Sequence, residues 1–192
     1  MADAQAVFPR LTQAAPFARV NPINAGTADE INTLIGAGAA VLMLPFFKLA
    51  AEVDTFVRIV NRRALTVGLV ETVSALAIVG DITGPGRLDE VHFGFTDLGI
   101  ELRKTPPQLL EDPQVCSAAR VLNAKAVQFG IAGVARPGDK TLPYDPGEFA
   151  AGIARLGASR TIIARSFLRS REVSALPGDV AVLRAFLAAA GT

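Results

Sequence analysis

The chain has 192 residues, enough for one sizeable hydrophobic core and at most two domains. Apolar side chains make up 51% and charged ones 19%, a balance that excludes a disordered chain and suits a globular α/β protein. Nineteen basic residues against eighteen acidic ones leave a formal charge of +1, without the basic surplus that a nucleic-acid-binding face requires.

The single cysteine, Cys116, rules out an internal disulfide and reads as a small helix-borne hydrophobe. Every apolar run is interrupted by Arg, Asp, Glu, Gly or Pro before it reaches the roughly 18 residues of a membrane span. The opening MADAQAVFPR lacks the basic start and apolar stretch of a secretory leader, so a cytoplasmic protein is expected.

Six short, mostly apolar β-type segments follow one another along the chain: Phe17–Ile23, Ala40–Pro45, Leu65–Glu71, Glu90–Asp97, Val127–Val134 and Arg160–Phe167. Helical periodicity fills the intervals. Thr27-Ala-Asp-Glu30 has the pattern of a capping box. Gly36-Ala-Gly38 suits a helix C-cap rather than a dinucleotide loop. Val53, Phe56, Val57 and Val60 form one apolar helix stripe. Asp112-Pro113 and Asp145-Pro146 each place an N-cap before a first-turn proline. A last helix is expected over 179–190, packed either on its own domain or on a neighbouring subunit.

Strands that are apolar on both faces and alternate with helices imply a parallel sheet covered by helices. Their starts lie 23 to 37 residues apart, about one βα unit each, and no composition shift marks a linker. Residues 1–192 therefore read as a single domain, with either an open doubly wound sheet or part of a (β/α) barrel. No G-x-G-x-x-G follows a strand, which weakens a dinucleotide-binding reading.

The strand ends carry unusual residues. Arg19 interrupts the first strand, Pro45 closes the second, Glu71 ends the third and Asp97 the fourth. Arg136 follows the fifth and Arg165 lies near the end of the sixth. In parallel α/β folds these C-terminal strand ends are where ligands bind. An acid directly after Gly-Leu-Val has no strand propensity, and burying it unpaired costs several kcal/mol. A metal would remove that cost; alternatively Glu71 and Asp97 cap the helices that follow and pair with Arg19 or Arg165. Two carboxylates completed by water and substrate oxygens suit Mg²⁺ or Mn²⁺. With one histidine and one cysteine, a zinc site is not expected.

In order, ARVNPIN, GAAVLMLPFFKLAAEVDTFV, VGLVET, DEVHFGFTDL and FGIAGVAR…RLGAS…ARSF resemble motifs of the aldolase and citrate lyase beta-subunit family. These are 4-hydroxy-2-oxoheptanedioate-aldolase-like, pyruvate/phosphoenolpyruvate-type (β/α)₈ barrels, and the likeness is strongest to the branch found in polysaccharide-biosynthesis clusters. It runs from about Phe17 to Phe167, and the 26-residue spacing of Glu71 and Asp97 fits the family pattern.

The resemblance implies an α/β fold, a parallel barrel of the TIM type reduced here to about six βα units. It also implies a Mg²⁺- (or Mn²⁺-) dependent carbon–carbon lyase of the class II aldolase type, acting on a 2-oxo acid or related carboxylate. The metal would be held by Glu71 and Asp97 and would stabilise a pyruvate-type enolate, with Arg19 beside the enolate oxygen as the catalytic residue. Amides around Gly94, Phe95 and Thr96 would hold the substrate carboxylate, with Pro45, Arg136 and Arg165 completing the substrate-binding set.

The departures matter as well. Aligning ARVNPIN with the third family strand leaves the first two family βα units largely missing, and many family aldolases take their catalytic histidine from that part. His92 lies inside a strand and reads as a core residue. The branch's polar histidine after the aspartate motif is absent, because this chain reads Asp97-Leu-Gly-Ile. Six strands leave an open edge unless a partner subunit, a ligand or the N-terminal helix covers it, and a homo-oligomer, or a partner subunit completing the barrel, is expected. A non-catalytic ligand-binding or regulatory subunit, and a condensing synthase with the same chemistry, are the alternative functions.

Of the other polar residues, Arg136 and Arg165 would either grip an anion or pair with nearby acids. Lys48 reads as a helix-start surface residue. The 136–143 loop is a lid or a plain connection, and the 169–172 run a solvated face.

Overall fold

The computed structural model describes residues 2–136, 138–168 and 172–189. All six expected strands are present: β1 (Phe17–Arg19), β2 (Val41–Leu44), β3 (Leu65–Val70), β4 (Glu90–Gly94), β5 (Gln128–Val134) and β6 (Arg160–Ile163). Their order in the sheet follows their order in the chain, and the β1–β2, β2–β3 and β5–β6 pairs are parallel.

Most strands stop sooner than their apolar runs suggest. β2 ends before Pro45, which has no amide to offer a neighbouring strand. β3 ends at Val70, just before Glu71. β4 passes directly into α5 (Phe95–Leu102), so Asp97 sits in the first turn of a helix and not at the end of a strand. β6 ends at Ile163 and a 3₁₀ turn, Arg165–Leu168, takes over, which moves Arg165 off the strand.

The chain forms two compact units, Met1–Val91 and His92–Thr192. In the first, α1 (Ala2–Val7) precedes β1, α2 (Thr27–Gly36) joins β1 to β2, α3 (Ala50–Val60) joins β2 to β3, and the short α4 (Val73–Ala77) follows β3. Ile31, Leu42, Leu44, Phe47, Phe56 and Val60 are almost completely buried. Full burial of each such side chain stabilises by roughly 1.5–3 kcal/mol. The Phe47 ring lies against Gly68 of β3, where an added Cβ would come within 3.3 Å of it and 2.5 Å of Leu88.

The Thr27–Glu30 capping box does not form. Gly26 is the N-cap, Thr27 Oγ1 accepts from the Asn24 amide (2.8 Å), and Glu30 accepts instead from the Asn21 amide and side chain. The tie from Glu30 to Asn21 fixes the chain leaving β1. Lys48 is exposed just ahead of α3, and its amide donates to Glu52, the acid in the first turn of that helix.

In the second unit, α5 and α6 (Pro106–Leu110) precede α7 (Pro113–Ala124), which leads into β5. α8 (Pro146–Arg155) joins β5 to β6, and α9 (Leu176–Ala189) packs on α8. The expected last helix thus begins three residues early; Ala190 lies outside the described residues, as do Pro137 of the 136–143 loop and residues 169–171 of the basic run. Phe93 and Phe129 meet edge to face at 5.7 Å and anchor the core.

Asp112 and Asp145 are N-caps as expected, each accepting two first-turn amides. Burial alone would raise the Asp112 pKa. Hydrogen bonds from Lys104 and from the Val115 and Gln114 amides outweigh burial and hold its carboxyl below the usual range. Asp112→Ala removes the cap and strands the Lys104 charge. Urea unfolding is therefore expected to show a loss of about 1–2 kcal/mol, and an unchanged midpoint would contradict the capping role.

Candidate functional site

The first unit carries three of the predicted site residues: Arg19, Pro45 and Glu71. Glu71 is only 3% exposed and leaves β3 at its C-terminal end. Its Oε1 accepts a hydrogen bond from the Phe46 amide at 3.0 Å. Phe46 follows the buried Pro45 at the end of β2 and has φ 52°, in the left-handed region. For a bulky residue without special turn chemistry, that conformation costs on the order of 1–3 kcal/mol. It persists because the two strand ends are fastened together. Thr72 Oγ1 donates to the Phe47 carbonyl at 3.2 Å and accepts from the Ala75 amide at 3.1 Å as the N-cap of α4. One hydrogen bond thus holds Glu71 to Phe46, and the next residue pair repeats the link in the opposite direction.

Arg19 is the last residue of β1, exposed, in register with Met43 of β2, which in turn pairs with Val67 of β3. Glu71 lies four residues beyond Val67, so a pleat continued past the strand would put it on the same face as Arg19. Among the described residues the Arg19 guanidinium makes no hydrogen bond or ion pair, so it is not the partner of a buried acid.

The second unit carries Gly94, Phe95, Thr96, Asp97, Arg136 and Arg165. Gly94 is the N-cap of α5, and Phe95, Thr96 and Asp97 form its first turn. An acid in a first helical turn is favoured by the unsatisfied amides and the positive end of the helix dipole. Asp97 is half-buried and Thr96 exposed. Arg136 is half-buried two residues after β5, and its Nη1 donates to the Phe167 carbonyl at 3.3 Å, so it ties the segments that follow β5 and β6 together. Arg165 is exposed in the 3₁₀ turn.

Beside the first turn of α5 a groove of about 400 Å³ opens, lined among others by Phe95, Thr96, Ile100 and Arg103. Ile100 is 73% exposed there. Gly99 lets the Lys104 carbonyl fold back against the helix, since a Cβ there would stand 2.6 Å from it.

No group of three or more His, Cys, Asp or Glu side chains able to hold a metal occurs among the described residues. A cation at Glu71 or Asp97 would therefore take most of its ligands from water and substrate, a pattern that suits Mg²⁺, which gives up its waters reluctantly.

Sequence reasoning missed two features. Phe46 as a donor to Glu71 had no signal, because Leu-Pro-Phe-Phe carries neither the glycine nor the asparagine that marks a left-handed residue. The groove had a faint one in the exposed Ile100 beside a glycine.

No protein-family model matches the sequence, and no curated protein matches it. Solved structures do. The chain is similar to RipC from Yersinia pestis, with 18% identity and a TM-score of 0.65, covering 89% of this chain and 75% of that one. It is similar to the citrate lyase beta subunit from M. tuberculosis, crystallised with oxaloacetate and magnesium (18% identity, TM-score 0.60, 89% of this chain and 72% of that one). It is also similar to the HpcH/HpaI aldolase from Desulfitobacterium hafniense (18%, 0.60, 92% and 73%). These neighbours belong to the aldolase and citrate lyase group that the motifs resemble. The fold is an α/β barrel of the TIM type reduced to six strands. No helix among the described residues is long and apolar enough to cross a membrane.

Proposed function

We propose that the chain is a Mg²⁺- or Mn²⁺-dependent carbon–carbon lyase of the aldolase and citrate lyase beta-subunit family, acting on a 2-oxo acid or related carboxylate. The observation that carries this reading is Glu71, a carboxylate 3% exposed at the exit of β3 and held in place by the Phe46 amide. An acid kept there, in a fold whose strand exits are the usual ligand-binding end, is a hard oxygen donor placed where a cation and its substrate would bind.

Glu71 and Asp97 would hold the metal through hard oxygen donors. When bound, such a metal acts as a Lewis acid on the oxygens where negative charge grows as the bond breaks. Arg19, whose guanidinium makes no ion pair among the described residues, would add fixed positive charge at the developing oxyanion. The first-turn amides of α5 at Phe95 and Thr96, beyond the N-cap Gly94, would bind the substrate carboxylate. Pro45 would border the site as the last rigid residue before Phe46. Arg136, already committed to the Phe167 carbonyl, would shape the loop and leave Arg165 as the more accessible guanidinium for an anionic group. A homo-oligomer, with a partner covering the open sheet edge, completes the reading.

The test is turnover. Incubated with Mg²⁺ and a panel of 4-hydroxy-2-oxo acids and acyl-CoA substrates, the protein is expected to release pyruvate or an equivalent 2-oxo acid. Chelation with EDTA is expected to abolish release, and Mn²⁺ to restore it. Absence of release across the panel, or release indifferent to EDTA, would falsify the assignment.

A further inference from the structure

Phe46 is an unexpected residue for its position. Its left-handed backbone is one that glycine adopts without strain, and only the amide is needed to hold Glu71. Phe46 is 44% exposed and so adds less to the core than the adjacent Phe47, which is 1% exposed. Three residues later Leu49 is 63% exposed on the same connection between β2 and α3. A strained, part-exposed aromatic whose amide holds a buried carboxylate contributes little to the core, and its side chain is placed to contact a ligand bound at Glu71.

We propose that Phe46 is a specificity-determining residue. Its backbone fixes Glu71, and its ring, with Leu49 nearby, presents an apolar wall to the part of the substrate beyond the 2-oxo acid unit. The substrate class is thereby narrowed to 2-oxo acids bearing an apolar tail. The inference rests on the reading of Glu71 as a metal ligand.

Two variants separate the two roles. Phe46→Gly keeps the backbone conformation and the amide but removes the ring. Phe46→Val keeps an apolar side chain but, being β-branched, disfavours the left-handed backbone. Calorimetric titrations would use Mn²⁺ alone, then pyruvate and 2-oxo-4-phenylbutanoate in the presence of Mg²⁺. For Phe46→Gly, Mn²⁺ and pyruvate affinities are expected to stay within about twofold of the original. The affinity for 2-oxo-4-phenylbutanoate is expected to fall about tenfold, the scale of losing one apolar contact surface. For Phe46→Val, Mn²⁺ binding is expected to weaken about tenfold, as on loss of a supporting hydrogen bond to a ligand.

If Phe46→Gly binds both 2-oxo acids as the unaltered protein does, or melts far below it with unchanged affinities, the ring has only a packing role and the proposal fails. If the unaltered protein binds no Mn²⁺, the metal reading fails first and the proposal with it.

Discussion

Glu71→Gln is expected to leave the fold intact and to weaken Mn²⁺ binding by about a hundredfold, close to 3 kcal/mol. Glutamine is nearly isosteric and its amide oxygen still accepts from Phe46 at the position where Oε1 now lies 3.0 Å from that nitrogen. The link between the ends of β2 and β3 is therefore retained, with Thr72 and the Phe47 carbonyl holding the second tie. The change centres on the charge. Removing a buried charge without its cation lowers a desolvation penalty, so the melting temperature without metal is expected to be unchanged or slightly higher. Turnover should fall by about two to three orders of magnitude, the usual scale for losing one electrostatic stabiliser of the transition state. Circular dichroism, Mn²⁺ titration and pyruvate release measured on one preparation check all three parts. A stable variant that binds Mn²⁺ as tightly as the original would remove Glu71 from the metal site.

The strands were legible because burial on both faces writes itself into sequence as continuous apolar runs, and all six runs correspond to strands. Their C-terminal limits were less legible. Phe93, Phe95 and Leu98 are all buried, so buried apolar residues continue from β4 into α5 and give no sign of where the backbone changes from extended to helical. The same ambiguity extended the sixth run into the 3₁₀ turn that contains Phe167. Local caps fared unevenly. Aspartate before proline fixed the starts of α7 and α8, since both residues restrict the same turn. The Thr27–Glu30 pattern failed because Asn21, nine residues before Glu30, offers it two donors that a local motif does not anticipate.

Within the site, the sequence marked the residue types but not their surroundings. Glu71 was conspicuous as an acid after Gly-Leu-Val. The donor that holds it comes from 25 positions earlier and from a backbone amide, which has no residue identity to read. Asp97 was conspicuous for the same reason as Glu71, yet it reaches its place by another route, as a first-turn helix acid. Arg19 and Arg165 could have been structural partners of these acids. Their guanidinium groups form no ion pair among the described residues.

His92 provides a second large effect, one that reads the core rather than the site. Burial in β4, and then the nearby Arg160 charge, lower its pKa from 6.5 to about 4. The side chain is wedged against β5, where a Cβ on Gly130 would come within 2.6 Å of His92 Cε1 and 2.7 Å of the Arg160 carbonyl. In the unfolded chain the imidazole takes up its proton near pH 6.5; in the folded chain it does so only near pH 4. Between those values the unfolded state binds more protons, so stability falls as the pH drops through this window and levels off below it. The full difference is roughly 3 kcal/mol at 1.36 kcal/mol per pKa unit. Urea unfolding at pH 7.5, 5.5 and 4.5 is expected to show this loss in the unaltered protein. His92→Gln, which cannot titrate, should be less stable at pH 7.5 but flatter across the series. Parallel slopes for the two proteins would show that the acid sensitivity arises elsewhere. Arg160→Ala should recover part of the loss, because it removes the cation that opposes protonation of His92.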